Sequence, residues 1–195
     1  MLFDVIAGKG VFENIDDSYG IMLSLRNLGH IAQRENKIDE AQHFYENIIQ
    51  ISEKINPNFS ALGINALGFL SLQRRDYNQA RIHFESALEI FDKTGDDTMY
   101  AQTLAGLGVV ASRQGDRIKA KQLFYQSLDI AQKINRRDQI AYILYQLAME
   151  EEKSNNFAFA LKLAKESNEN YERLGCKEEF EKTKELISRL EKNIK

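Results

Sequence analysis

The chain has 195 residues, of which 43% are hydrophobic and 28% are charged, a composition that excludes a disordered tail and indicates a folded protein. Its net charge of −3 and its pI near 5.7 argue against nucleic acid as a partner, because phosphate binding depends on clustered lysines and arginines. A single proline favours long helices, since proline lacks the N–H that a helix interior needs.

Cellular location is bounded by three further features. Cys176 is the only cysteine, which excludes an internal disulfide and suits a reducing compartment. The first residues carry no basic stretch and reach an acid at Asp4, so they do not form a secretory signal. The longest apolar runs, such as residues 104–111, are far shorter than the roughly 20 residues of a membrane-spanning helix. We therefore expect a soluble, cytoplasmic protein that does not bind a membrane.

The first segment in chain order, residues 1–17, precedes the regular part of the sequence. Val5, Val11 and Phe12 match apolar positions that recur in the later segments, whereas Gly8-Lys9-Gly10 weakens the segment as a helix. We predict the degenerate remnant of a helix here.

Residues 18–176 contain four segments with the same pattern. Each segment has a Leu-x-x-Leu-Gly motif or a close variant, and the motifs end at steps of 39, 40 and 40 residues, at Gly29, Gly68, Gly108 and Ala148. An alanine follows each motif after twelve residues. Four residues further on, three segments carry an aromatic residue and the fourth carries an alanine: Tyr45, Phe84, Phe124 and Ala164. Internal periodicity of this length indicates a repeat architecture.

Each segment holds two blocks in which apolar residues recur three and four positions apart, as on one face of a helix. The first blocks cover residues 18–34, 59–74, 98–114 and 138–153, and the second cover 38–55, 77–94, 117–134 and 157–174. Most blocks are separated by Asn or Gly, which tolerate the left-handed conformation that ends many helices, with Arg75 as the exception. We predict one helical hairpin in each of the segments 18–56, 57–95, 96–135 and 136–176.

The pattern resembles the tetratricopeptide repeat, in which a Leu-Gly pair of the first helix meets an alanine and a phenylalanine of the second. The period near 40 residues is similar to that of the long-repeat branch of the family, and the aromatic of the family's first helix is replaced here by Leu25, Ile64, Leu104 and Leu144. The resemblance implies an all-α fold, a right-handed α-α superhelix (solenoid) of about four hairpins. We expect the small residue that ends each motif to let the helices cross closely, with the alanine opposite it and the aromatic filling the gap to the next unit.

The last predicted element, residues 177–195, is an amphipathic helix. Five residues share its less polar side, namely Phe180, Thr183, Ile187, Leu190 and Ile194, and Glu and Lys occupy the other. The helix takes the place of a first helix in a fifth unit. We expect it to cap the last apolar face, as terminal repeats of a solenoid must.

Stacking of such hairpins places the first helices on the concave side, where residues that do not face the second helix form a groove. The sequence register predicts these partner-binding residues: Arg26, His30, Gln33, Asn65, Phe69, Gln73, Gln102, Val109, Arg113, Tyr142, Tyr145 and Met149. The row could hold an amphipathic helix or an extended segment. Phe69 and Val109 have an alternative role, in which they pack against the adjacent first helix. Only scattered elements of the family's carboxylate clamp occur, Arg26 and Asn65, so we expect no binding of chaperone tails.

Other motifs indicate no reaction chemistry. Residues 106–111 fit the Gly-x-Gly-x-x-Ala pattern of dinucleotide sites, but that pattern needs a preceding strand, and the sequence on both sides is helical. His30, His43 and His83 lack the spacing of metal ligands. The run Glu150-Glu151-Glu152 is expected to be a solvated face, because consecutive helix residues point in different directions. We therefore expect no enzyme, no cofactor and no metal.

The sequence thus favours a scaffold that binds a protein or peptide in a concave groove. Two alternatives remain: a peptide-sensing regulatory module that acts on a separate output protein, and a self-assembling structural module. The self-assembling module would form a homodimer through a terminal repeat face.

Overall fold

A computed structural model describes residues 15–52 and 57–194, with side chains from residue 20 in the first range and from residue 59 in the second. These ranges contain only helices and their turns, and no strand. The helices are α1 (Ile15–Arg34), α2 (Ile38–Ser52), α3 (Pro57–Gln73), α4 (Tyr77–Thr94), α5 (Asp97–Arg113), α6 (Arg117–Lys133), α7 (Arg137–Lys153), α8 (Phe157–Leu174) and α9 (Lys177–Ile194). Most of the predicted N-terminal remnant, residues 1–14, lies outside the described residues.

The helices form four successive hairpins, α1–α2, α3–α4, α5–α6 and α7–α8, followed by α9. Each helix packs against the next one along the chain. The first helices of consecutive hairpins also contact each other, α1 with α3, α3 with α5 and α5 with α7. The first helices therefore line the inner side of a right-handed superhelix, and the predicted fold class is confirmed.

The turns between paired helices explain where these helices end. Four residues at equivalent positions adopt a positive φ: Asn36 at 60°, Arg75 at 62°, Gly115 at 88° and Asn155 at 58°. The next helix then begins at a capping residue in two hairpins, where the Asp76 and Asp116 carboxylates each accept a 3.0 Å bond from a backbone N–H of the first turn. Arg75 is the residue least suited to this conformation, because it has a Cβ atom that crowds the following carbonyl and lacks the short polar side chain with which Asn can bond to the local backbone.

The helix crossing of each of the first three hairpins depends on the glycine that ends the first-helix motif. A Cβ atom added to Gly68 would lie 2.6 Å from the Phe84 ring, and one added to Gly108 would lie 2.6 Å from the Phe124 ring. The ring, and not the alanine expected from the sequence, is thus the nearest neighbour of the glycine. The aromatic also reaches the next unit, as predicted, because a Cβ on Gly106 would lie 2.7 Å from Phe84.

The fourth hairpin and α9 follow the third hairpin in the stack. Ala148 and Ala164 replace the glycine and the aromatic, and both are fully buried in a cluster that includes Leu186 of α9. Thr183 and Leu190 of α9 are also fully buried, whereas the opposite face of the helix is exposed and rich in Glu and Lys. α9 therefore covers the apolar face of the fourth hairpin, as expected for this helix.

Candidate functional site

The concave side contains a cavity of about 560 Å³ that is formed by the first helices of all four hairpins and the turns that precede α5 and α7. Five of the residues predicted from the sequence line it, namely Arg26, His30, Asn65, Phe69 and Gln102. Apolar residues that the prediction did not include, Phe59, Leu62 and Met99, form part of the same wall. The cavity therefore combines charged, amide and apolar surfaces.

A second cavity of about 310 Å³ continues from the first toward the fourth hairpin. Phe69 and Gln102 line both cavities, and Tyr142, which is also a predicted residue, lines the second one. Burial raises the pKa of Tyr142 to about 12, so this phenol stays neutral across the physiological range.

A third opening lies between the first two hairpins and α9. It is lined by the predicted residues His30, Gln33 and Gln73 together with Arg34 of α1 and Glu178 of α9. The Arg34 Nη2 and Glu178 Oε2 atoms are 3.6 Å apart, so α9 borders the groove opposite the first hairpin. Because both side chains are largely exposed, this ion pair contributes little to stability.

The remaining predicted residues lie toward the other end of the groove. Val109, Tyr145 and Met149 are half-buried and pack against the apolar cluster of the third and fourth hairpins. Arg113 is exposed at the end of α5. The alternative role of Phe69 is supported by its packing against a buried cluster that includes Val110 of α5, the adjacent first helix. Its ring also lies 4.9 Å from that of Phe84, on the second helix of its own hairpin, in an edge-to-face arrangement.

Tyr45 links the core of the first hairpin to the groove. Its ring packs against Gly29, and its hydroxyl donates a 2.9 Å bond to Gln33 Oε1 and lies 3.2 Å from His30 Nδ1. Burial raises the pKa of Tyr45 to about 12. Desolvation lowers the pKa of His30, and the positive charge of Arg26 lowers it further. Tyr45, which stands where the second and third hairpins have phenylalanine, thus orients two predicted groove residues, His30 and Gln33.

Asn65 is the predicted groove residue with the least exposed surface, 3%. Its carboxamide lies 2.9 Å from Thr103 Oγ1, and the same hydroxyl lies 2.7 Å from the Met99 carbonyl oxygen, to which it can donate its one proton. The carboxamide of Asn65 is therefore held between α3 and α5.

The polar residues that precede and begin α7 were not predicted from the sequence. Arg136 binds Asp138 through two hydrogen bonds of 2.8 and 3.0 Å, which hold the pKa of the Asp138 carboxyl below its usual value. Gln139 lines both main cavities. The repeat spacing could have indicated Gln139 as a groove residue, because it lies 40 residues, one repeat, after Met99, which lines the same cavity.

One expectation about acidic residues was wrong. Glu150 and Glu151 do not form a solvated face, since they are only 2% and 6% exposed. Glu150 binds Ser112 and Lys153, and Glu151 binds Lys121 at 2.8 Å and Asn156 at 3.1 Å. Neighbouring helices thus provide charged and polar partners that allow burial of both carboxylates.

Residues 15–52 and 57–194 hold no group of three or more His, Cys, Asp or Glu side chains arranged to bind a metal ion. Across the same ranges, each helix is too short or too polar to span a bilayer.

Sequence comparison identifies tetratricopeptide repeats in the chain. One repeat profile matches residues 59–133 and 100–173, more than half of the chain, and a second matches residues 25–55. No curated protein gives a match.

Several solved structures have the same fold. BtubC (BKLC) from P. vanneervenii superposes with a TM-score of 0.63 at 12% identity, covering 95% of this chain and 91% of that one. Aspartyl phosphate phosphatase F from Bacillus subtilis superposes with a TM-score of 0.76 at 12% identity, and the match covers 94% of this chain and 49% of that one. The Rap conjugation gene regulator of plasmid pLS20, solved with the Phr* peptide, superposes with a TM-score of 0.74 at 17% identity. The match covers 94% of this chain and 52% of that one. The chain spans about half of the last two proteins, and identities this low establish the fold alone.

Proposed function

Because the chain belongs to the tetratricopeptide repeat family, we propose that it is a non-catalytic scaffold that binds a protein or peptide in the concave groove of its superhelix. The observation that carries the proposal is the cavity of about 560 Å³ to which the first helices of all four hairpins contribute. A groove that mixes apolar walls with a few polar groups suits a peptide segment, whose side chains need pockets and whose main chain needs hydrogen-bond partners.

The proposal is tested by blocking the groove with a side chain that the fold can tolerate. Gln102 is half-buried and lines both main cavities, so Gln102→Arg introduces bulk and charge into the groove. Gln126→Arg is the matched control, because Gln126 is exposed on α6, the second helix of the same hairpin. The probe is a random heptapeptide library displayed on phage and selected on the immobilised protein.

Selected peptides should bind Gln102→Arg at least about tenfold more weakly than the wild type, a change of about 1.4 kcal/mol. They should bind Gln126→Arg with unchanged affinity, and circular dichroism should give the same helical content for all three proteins. Equal affinity for wild type and Gln102→Arg would contradict the proposal. The same pair of variants then serves for affinity capture from the source cell with identification by mass spectrometry.

A second candidate function is peptide sensing for a separate output protein. It is favoured by the similarity to the conjugation gene regulator that was solved with the Phr* peptide. A sensor requires the superhelix to change shape when the peptide binds. X-ray scattering curves that are identical with and without a saturating selected peptide would argue against sensing while leaving the scaffold role intact.

Self-assembly through a terminal repeat face stays a prediction. Leu28 and Ile31 of α1 are 42% and 54% exposed, although the equivalent Leu67 and Leu70 of α3 pack into the core beside the first hairpin. Light scattering that gives the monomer mass at high concentration would exclude a homodimer.

A further inference from the structure

We propose that the groove recognises the main chain of an extended peptide of low net charge, with the Gln139 side-chain oxygen accepting a hydrogen bond from one backbone N–H of that peptide. The inference rests on the proposed function and deepens it, because it names the chemistry of the ligand and a residue that the sequence did not reveal.

The first observation is a row of carboxamides across the groove. Each first helix contributes one to the lining of the larger cavity, namely Asn27 from α1, Asn65 from α3, Gln102 from α5 and Gln139 from α7. A carboxamide offers one acceptor oxygen and an NH₂ donor, which are the groups that complement a peptide bond. A row of them therefore matches a main chain and discriminates little between side chains.

The second observation is that Gln139 has a fixed orientation. Its Nε2 atom donates a 3.0 Å bond to the Thr98 carbonyl oxygen, so its Oε1 atom is the group left to accept a hydrogen bond. Asn65 is held between α3 and α5 by its 2.9 Å contact with the Thr103 hydroxyl. Gln139 thus supplies an acceptor, which is the group that the N–H of a peptide requires.

The third observation concerns the Gln139 oxygen. Oε1 is buried and has no hydrogen-bond partner among residues 15–52 and 57–194. A buried acceptor without a partner is unfavourable, because it has lost its bonds to water. A ligand N–H that reaches this atom would satisfy it, whereas an apolar group or a carbonyl would not.

The charges along the groove argue for a ligand segment of low net charge. The Asp138 carboxylate is engaged by Arg136, and the Asp96 carboxylate accepts a 3.0 Å bond from the Met99 backbone N–H. The lining contains equal numbers of Arg and Asp side chains, Arg26 and Arg136 against Asp96 and Asp138. A strongly acidic or basic peptide would find no excess of opposite charge here.

The smaller cavity indicates where a side chain of the peptide would lie. It has a volume of about 310 Å³ and adjoins Gln139, with Phe69, Ala105, Tyr142 and Ile143 among its lining residues. Such a wall suits one apolar or aromatic side chain next to the backbone N–H that Gln139 binds.

The test combines a protein variant with a change in the peptide main chain. Heptapeptides selected on the wild type are resynthesised as a series in which one backbone amide at a time becomes an ester, which removes a single N–H. Affinities are measured on the wild type, on Gln139→Met, which keeps the side-chain length without the acceptor, and on Gln132→Met. The last is the matched control, since Gln132 is exposed on α6.

At one position the ester should weaken binding about tenfold on the wild type and on Gln132→Met, but less than about twofold on Gln139→Met. A merely structural role of Gln139 would weaken every peptide without this dependence on position. If all esters lose the same affinity on all three proteins, or if the selected peptides are strongly charged, the inference is wrong while the scaffold role stands. If no peptide is selected, or Gln102→Arg leaves binding unchanged, the proposed function fails with it.

Discussion

The ring of Phe124 lies so close to Gly108 that a Cβ atom at this glycine would stand 2.6 Å from the ring's Cε1 atom. Each ring of this type belongs to the second helix of a hairpin and contacts the first helix across the crossing. The distance between the two helices is therefore set by the absence of a side chain at one position and by a large ring at the other.

We expect Gly108→Ala to destabilise the protein by up to about 2 kcal/mol. The added methyl group must displace the buried Phe124 ring, and the usual cost of overpacking a dense core, about 1–3 kcal/mol, is offset only in part by the gain of about 1 kcal/mol in helix propensity. The free energy of unfolding in urea measures the difference. The matched control is Gly20→Ala in α1, where an added Cβ meets nothing within 4 Å. It should be neutral or stabilising, and a stabilised Gly108→Ala would contradict the crossing argument.

The fourth hairpin allows the opposite change to be tested, because Ala148 stands at the position of the glycine and Ala164 at the position of the aromatic ring, and both are buried. Ala164→Phe alone should destabilise the protein by about 1–3 kcal/mol, since the ring would collide with the Ala148 methyl group and with the neighbouring core. Adding Ala148→Gly removes the first collision. A double-mutant cycle should therefore give a favourable coupling of about 1 kcal/mol between the two substitutions. Additive effects would show that the two positions are independent.

The fold could be predicted from the sequence because its determinants are local and repeated. Helical spacing, the Gly and Asn turns and the recurring Leu-Gly motif each occur several times, so one weak instance, such as Arg75, does not obscure the pattern. The detail of the crossing was predicted incorrectly, since which side chain faces Gly108 depends on the angle between two helices. Periodicity alone does not provide that angle.

The site could be predicted only in part. The register identified His30, Phe69 and Gln102 because first-helix positions recur at a constant spacing. It missed Gln139 because its role depends on the carbonyl of Thr98, 41 residues away in sequence. It misjudged Glu150 for a similar reason, since the Ser112 hydroxyl that allows its burial comes from the preceding hairpin.

Arg75 provides a prediction about the turns, because it has a φ of 62° at a position where the other hairpins carry Asn or Gly. Arg75→Asn should stabilise the protein by about 1 kcal/mol, since Asn adopts the left-handed conformation with less strain. The reverse change at the equivalent position of the fourth hairpin, Asn155→Arg, should destabilise it by a similar amount. Thermal unfolding followed by circular dichroism gives both values. If Arg75→Asn lowers the melting temperature, the strain does not reside in this residue.

The histidines predict a dependence of stability on pH. Desolvation lowers the pKa of both His30 and His83 in the folded protein, with a further contribution from Arg26 at His30. The unfolded chain binds a proton at these residues near the ordinary pKa of about 6.5, before the folded protein does. The unfolded state thus holds more protons just below this pH, so the free energy of unfolding should fall as the pH drops from 7.5 to 5.5. It should be constant between pH 7.5 and about 8.5, where the histidines are neutral and the tyrosines are protonated in both states. Urea titrations across the range measure the slope, and the double variant His30→Gln/His83→Gln should give a flatter profile than the wild type. Equal slopes for the two proteins would show that these histidines are not the groups responsible.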